Sequence, residues 1–341
     1  MRKWIFSCGF YYDRGICFFD TLTRRFARYD IDNNSITYEP DIYRGEDNFY
    51  IEKFVEIGDD IYGIDVGGEK VMHIDMADRT ATVISIDAKT GFWGNYSYIG
   101  KTDDKVVIFT RGKGKKIEII KNKVLEASIP DSVFIGGEAS FGFVFFDKSG
   151  ERILKYYKER NVWDEKKTNI SVGQVVYAEE SEGVCFFMDL DGDIFTYDPR
   201  DDSIEKKYSI QAQGGSMIEF FITGNKIIEL PSLGDDIFVI DRTSGVSERW
   251  DRYPGDFAYV GPKGWSRYDG FNDIDGYRYY SMRTANYLLR VDRETGEIDF
   301  LKPSIPRPEV EGEMIIRSNM FATEETISLS DYVKYISCTR I

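Results

Sequence analysis

Short apolar runs broken by Gly, Asp and Asn turns alternate along the whole chain, and one register recurs. The stretch LLRVDRETGEID (288–299) has relatives in IFTYDPRDDSIE (194–205), IFVIDRTSGVSE (237–248), VMHIDMADRTAT (71–82) and FARYDIDNNSIT (26–37). Two degenerate copies, IEIIKNKVLEA (117–127) and LKYYKERNVWD (154–164), carry Lys where the others carry Asp. The fifth residues are Asp30, Asp75, Lys121, Lys158, Asp198, Asp241 and Asp292, at intervals of 45, 46, 37, 40, 43 and 51. A period near 40–50 residues is that of propellers, solenoids or arrays.

The period is filled by strand, not helix. Upstream of the copies lie apolar runs ending in tight-turn residues, among them DDIYGIDVGG, DKVVIFTRGKG, FGFVFFDKSG, EGVCFFMDLDGD, GNKIIELPSLGDD and DGYRYYSMRTAN. Each reads as a strand joined to the motif strand by a hairpin. A further short segment, such as KFVEIG, YSYIG, VVYAEE or IEFFITG, precedes most of them. Each module therefore has about four strands and no room for a helical crossover, which excludes a parallel α/β sheet.

Four places before the marker stand Phe26, Val71, Ile117, Leu154, Ile194, Ile237 and Leu288; one place before stand Tyr29, Ile74, Ile120, Tyr157, Tyr197, Ile240 and Val291. These positions face opposite sides of a strand and both are apolar, so each sheet is predicted to be buried on both faces, as propeller blades are. The slot two before the marker is mixed: Arg28, His73, Ile119, Tyr156, Thr196, Val239 and Arg290. After the marker, a short polar stretch reads as a turn in which the Asp carboxylate accepts backbone N–H groups two residues on. Glu294 and Glu297 then need no role beyond solvation.

Arg293-Glu294-Thr295-Gly296-Glu297 and Arg242-Thr243-Ser244-Gly245, each following a strand-ending Asp, resemble the repeat of quinoprotein-like (PQQ-type) propellers. The doublets Gly67-Gly68, Gly136-Gly137 and Gly214-Gly215 resemble those of kelch repeats, without the later Tyr and Trp spacing. The resemblance implies an all-β fold, a single β-propeller of four-stranded blades over residues 1–341. It implies no quinone cofactor, since the vicinal cysteine pair of quinone-dependent dehydrogenases is absent. Seven markers predict seven blades, with six or eight as alternatives. Residues 311–341 would supply a ring-closing strand, a short C-terminal helix capped by Ser330 with Val333 and Ile336 on one side, or both.

Composition narrows the chemistry. A net charge of −15 repels a phosphate backbone, so nucleic acid is excluded as a general partner. The one basic run, Arg111 to Lys116, reads as a solvated hairpin tip. Cys8, Cys17, Cys185 and Cys338 are too few and scattered for a disulfide framework, which fits a reducing, cytoplasmic setting. The apolar part of MRKWIFSCGFYYDRG is too short for a signal core, and no run approaches a membrane span.

His73 is the only histidine, so His-rich metal sites and two-histidine relays are excluded, and it reads as structural. Asp189, Asp191 and Asp193 have the spacing that opens a calcium loop, but Ile194 and Arg200 stand where Gly and Glu are required, so Asp191-Gly192 reads as a turn. Nucleotide-binding and hydrolase motifs are absent. Two aromatic, acidic segments, 91–100 and 253–280, read as long loops, the kind that carry function. Trp93, Tyr96, Trp265, Tyr268 and Phe271, with Asp269 and Asp273, are the candidate ligand-binding residues, offering stacking faces and acceptors at a propeller mouth.

The resulting expectation is a non-catalytic scaffold that recognises a protein or peptide through one face, with no metal and no cofactor. The alternative is a carbohydrate-active enzyme or glycan-binding propeller using those carboxylates and aromatics.

Overall fold

The computed structural model of the chain describes residues 6–20, 25–39, 49–90, 94–209, 217–231, 237–257, 268–282 and 287–304. These contain seven four-stranded antiparallel sheets, each ordered as the chain runs. Blade 1 holds β1 (Phe6–Tyr12), β2 (Gly15–Asp20), β3 (Arg25–Asp30) and β4 (Ser35–Glu39); blade 2 holds β5 (Ile51–Ile57), β6 (Asp60–Asp65), β7 (Lys70–Asp75) and β8 (Thr80–Ser85). Blade 3 holds β9 (Tyr96–Thr102), β10 (Lys105–Thr110), β11 (Lys115–Ile120) and β12 (Lys123–Ser128); blade 4 holds β13 (Ile135–Ala139), β14 (Gly142–Phe146), β15 (Arg152–Tyr157) and β16 (Val162–Lys167). Blade 5 holds β17 (Val175–Ser181), β18 (Val184–Asp189), β19 (Ile194–Asp198) and β20 (Ser203–Tyr208); blade 6 holds β21 (Met217–Thr223), β22 (Lys226–Pro231), β23 (Ile237–Asp241) and β24 (Ser247–Trp250). Blade 7 holds β25 (Tyr268–Ile274), β26 (Tyr277–Met282), β27 (Leu288–Asp292) and β28 (Ile298–Leu301). This is a seven-bladed β-propeller, as the seven markers predict. Residues 311–341, assigned from sequence to a closing strand or helix, lie outside the described residues.

The repeated motif is the third strand of every blade. Its marker Asp sits opposite the first residue of the second strand: Asp30 opposite Gly15, Asp75 opposite Asp60, Asp241 opposite Lys226 and Asp292 opposite Tyr277. The structure corrects the two Lys copies by one residue. In blade 4 Tyr157 pairs with Gly142, and in blade 3 Ile119 pairs with Val106, the second residue of β10, so the marker places belong to Tyr157 and Ile120. Both strands end on an apolar residue, and the following lysine belongs to the turn. The mixed slot therefore reads Arg28, His73, Glu118, Lys155, Thr196, Val239 and Arg290, and its ionisable members are held by charged or hydrogen-bonding partners. His73 Nε2 lies 2.6 Å from Asp60 Oδ1, Glu118 is within 3.6 Å of Lys105 and 3.2 Å of Lys116, Lys155 is 3.0 Å from Asp164, and Arg290 is 2.7 Å from Asp299. His73 also stacks on Tyr62 at 4.7 Å, a structural placement.

The turn chemistry is as the sequence predicts. Asp292 Oδ1 accepts the N–H groups of Glu294 (2.9 Å) and Thr295 (2.7 Å), and Asp241 Oδ1 accepts those of Thr243 (3.0 Å) and Ser244 (2.7 Å). The turn then passes through a left-handed residue, Gly245 (φ 71°) or Gly296 (φ 69°), which glycine adopts without steric cost. Backbone hydrogen bonds lower the carboxyls of Asp30, Asp241 and Asp292, and the Arg200 side chain, with its backbone N–H, holds Asp198 at about 2. A carboxyl more acidic in the folded chain stabilises above its unfolded value, and that contribution is lost as pH falls through the folded one. Acid titration by circular dichroism should therefore show stability falling between about pH 4 and about pH 2. Replacing Asp30, Asp198, Asp241 and Asp292 by Asn, which keeps an acceptor, should flatten that slope; an unchanged slope would place the acid-labile groups elsewhere.

Contacts gather the blades into two compact units: Met1–Val66, Val71–Ile84 and Arg252–Ile341 in one, and Gly67–Lys70 with Ser85–Asp251 in the other. In the three-blade unit, Phe10, Phe19 and Phe26 of blade 1 pack with Phe54, Met72 and Ile74 of blade 2, while Phe18 and Tyr29 pack with Tyr279 and Leu288 of blade 7. In the four-blade unit, Val107 and Phe109 meet Phe143 and Leu154, Phe146 meets Phe187, and Met188 and Ile194 meet Ile227. Burial on both faces follows, each large side chain contributing about 1.5–3 kcal/mol. Beyond β28 the chain runs beside blade 1: Ser304 forms a parallel bridge to Ser35, Ile36 N–H donating to Ser304 O and Ser304 N–H to Asn34 O, both at 2.8 Å.

Candidate ligand cleft between blades 3 and 4

Within the four-blade unit, a cleft of about 260 Å³ opens between the β9–β10 turn of blade 3 and the β15–β16 turn of blade 4. Val107, Phe143 and Tyr156 form its apolar floor, and Lys105, Lys116 and Glu118 its wall. At the rim stand Asp103, Lys158 and Glu159. Strand alternation puts Lys116 and Glu118 on one face of β11, directed at blade 4.

Lys116 is the best-fixed charge. Its Nζ lies 5.0 Å from the centroid of the Tyr156 ring and donates to Tyr156 Oη at 3.0 Å, while Tyr156 Oη donates to Asn161 Oδ1 at 2.7 Å. Burial works against the Lys116 ammonium, but its bonds to Tyr156 and Glu118 prevail and leave its pKa raised, so it stays a cation. The same tyrosine bond recurs as Tyr29 to Asn34 (3.0 Å) and Tyr197 to Asp202 (2.8 Å), so blade 4 adapts a turn element of the fold to line a cleft. An aromatic floor with charges of both signs above it is an arrangement that can take an amphiphilic ligand by burial and by charge pairing.

The sequence-predicted site residues that are described all stand on strands. Trp93 and Trp265 lie outside the described residues. Tyr96 opens β9 and is buried, its carbonyl accepting Arg111 Nη2 at 2.9 Å. Tyr268 opens β25 and is also buried, so residues 268–274, expected as part of a long loop, are strand. Asp269 and Phe271 belong to the same strand, opposite Ser281 and Tyr280. Asp273 is clamped by Arg278, at 2.7 and 2.9 Å, and by Arg293 at 3.1 Å. The described part of the loop folds back, Tyr253 lying 5.0 Å from Phe257 and 5.2 Å from Phe300 of β28.

Other groups are accounted for within the fold. Asp189 Oδ1 accepts the N–H groups of Asp191 (3.1 Å) and Asp193 (2.9 Å), closing the expected turn at Gly192 (φ 81°). Cys8, Cys17 and Cys185 are buried free thiols, and burial pushes Cys185 up to about 12. In the basic run, Arg111 lies over Phe134, Lys113 and Lys115 pair with Asp87, and Lys116 enters the cleft. The expected solvated tip thus proves largely engaged. The cleft residues carry no shared sequence signal: Lys116 and Tyr156 stand 40 positions apart and meet only where blades 3 and 4 pack.

The fold is that of a seven-bladed β-propeller, and solved structures agree on it. No family model and no curated protein matches the chain. A catalytically inactive histidine-to-alanine variant of virginiamycin B lyase from Staphylococcus aureus, with quinupristin, is similar at 11% identity and TM-score 0.61, covering 83% of this chain and 93% of that one. The Cps50 (Swd1) β-propeller domain of Myceliophteria thermophila is similar at 11% identity and TM-score 0.59, covering 89% and 99%. YCF48 bound to D1 peptide is similar at 10% identity and TM-score 0.58, covering 85% and 92%. At these identities the likeness is one of fold.

Proposed function

We propose that this chain is a non-catalytic β-propeller that binds a peptide segment of a partner protein in the cleft between blades 3 and 4. The observation that carries the reading is the pairing of an apolar aromatic floor with a fixed cation, Lys116, and rim charges of both signs. A peptide can place an apolar side chain on Phe143 and Tyr156 and pair its own charges with Lys158, Asp103 or Glu159. A propeller bound to a peptide among the similar folds supports the same reading. Asp273, a carboxylate the glycosidase alternative would use, is held by Arg278 and Arg293.

The test presents the full chain to a library of random linear peptides and, in parallel, to a glycan array. Peptides of a common pattern should be selected, and the double variant Lys105→Glu/Lys158→Glu should bind them at least about 10-fold more weakly, roughly 1.4 kcal/mol. Lys207→Glu, on β20 of blade 5, should bind as the parent does. Equal binding by the double variant, or selection of glycans and no peptide, would overturn the proposal.

A further inference from the structure

Glu229 is the fourth residue of β22. In the other six blades the fourth residue of the second strand is Phe18, Gly63, Ile108, Phe145, Phe187 or Tyr280, each buried. Blade 6 thus puts a carboxyl where the fold otherwise puts apolar or aromatic core. Its exposure is 0%, and neither Oε1 nor Oε2 has a hydrogen-bond partner. Its cross-strand neighbours are Phe220 on β21 and Phe238 on β23. It shares a strand face with Ile227, which packs on Phe186, Met188 and Ile194 of blade 5.

The charges acting on Glu229 come from blade 5 and are both negative, Asp189 at the end of β18 and Asp193 in the turn after it. Asp189 is itself 3% exposed and raised by burial, and Asp193 is held by Lys206 of β20 and by Ser209. β21 and β23 present phenylalanine. Burial, and then these two neighbours, push the Glu229 carboxyl well above the usual carboxylate range. Ionisation inside this seam would leave a charge with no solvent exposure and no donor among the described residues.

We propose that Glu229, backed by Asp189, makes the seam between blades 5 and 6 a proton-dependent joint, closed while Glu229 carries its proton and loosened when it ionises. The sign follows from linkage. A carboxyl that holds its proton more tightly in the folded chain leaves stability intact below its ordinary range, and stability falls as pH rises towards the folded value. This is the reverse of the turn aspartates.

The test is hydrogen exchange of the full chain at about pH 5 and about pH 9, corrected for the intrinsic pH dependence of exchange. Segments of β18 and β22 should lose protection at the higher pH by at least about 10-fold more than β2 of blade 1. Glu229→Gln, which keeps the shape and cannot ionise, should abolish that difference, and Glu229→Leu should do the same with higher protection throughout. A wild-type seam with no excess pH response, or the same response in Glu229→Gln, would overturn the proposal. If Glu229→Leu fails to fold, the wild-type and Gln comparison decides alone.

Discussion

Gly142→Ala is expected to destabilise the protein by about 3–4 kcal/mol and to lower its thermal midpoint and soluble yield. Gly142 opens β14 at φ 149°, and a Cβ there would lie 2.1 Å from Tyr156 O and 2.9 Å from Lys158 N. Both obstacles are backbone, so no side-chain rotation relieves them. The displaced residues line the cleft, so ligand binding should weaken along with stability. Gly255→Ala is the control: a Cβ there meets nothing within 4 Å, and the change should stay within about 0.5 kcal/mol. Indistinguishable melting of the two variants would mean that blade 4 does not begin its second strand as described.

Phe109→Ala should cost a similar amount, about 3–5 kcal/mol, for a different reason. Phe109 is fully buried, with ring centroids of Phe143 and Phe145 at 4.9 Å, Tyr156 at 6.0 Å and Trp163 at 6.2 Å. Truncation opens a void against rings that are themselves packed and cannot collapse into it. Phe109→Leu should cost roughly 1–2 kcal/mol, since it restores most of the volume. Urea unfolding followed by circular dichroism would measure both, and an alanine variant no weaker than the leucine one would show that the interface repacks. Phe143 and Tyr156 rest on this ring, so the floor of the cleft should lose its shape in the alanine variant.

The architecture was legible because its signal is periodic and local. A strand-ending Asp, two apolar positions on opposite faces and an Asp-capped turn are all encoded within a dozen residues of each other. The register of blades 3 and 4 was not, because a lysine following the strand looks like a substituted marker until cross-strand pairing shows the strand ending at Ile120 and Tyr157. That one-residue error hid Glu118 and Lys155 in the ion-pair slot. The cleft was hidden for a deeper reason: Lys116 and Tyr156 stand 40 positions apart and meet only when two blades pack. Tyr96 and Tyr268 sit in the turn-rich segments 91–100 and 253–280, yet each opens a strand and is buried. Glu229 stands two residues before Pro231 in the run GNKIIELPSLGDD, and its place at the buried fourth position of β22 is set by strand register and packing.

The hydrogen bond from Ser304 to Asn34 spans 270 residues, and with it goes an order of manufacture. Blades 3 to 6 are all but continuous in sequence, so a growing chain can complete that unit from material already released by the ribosome. Blades 1 and 2 emerge first yet belong to a unit whose third member is made last. The buried ring of Tyr29 has to wait for Tyr279, and the edge of β4 for Ser304. The earliest strands of this chain are thus the ones kept longest without their partners, and the period of greatest exposure to misassembly falls on them.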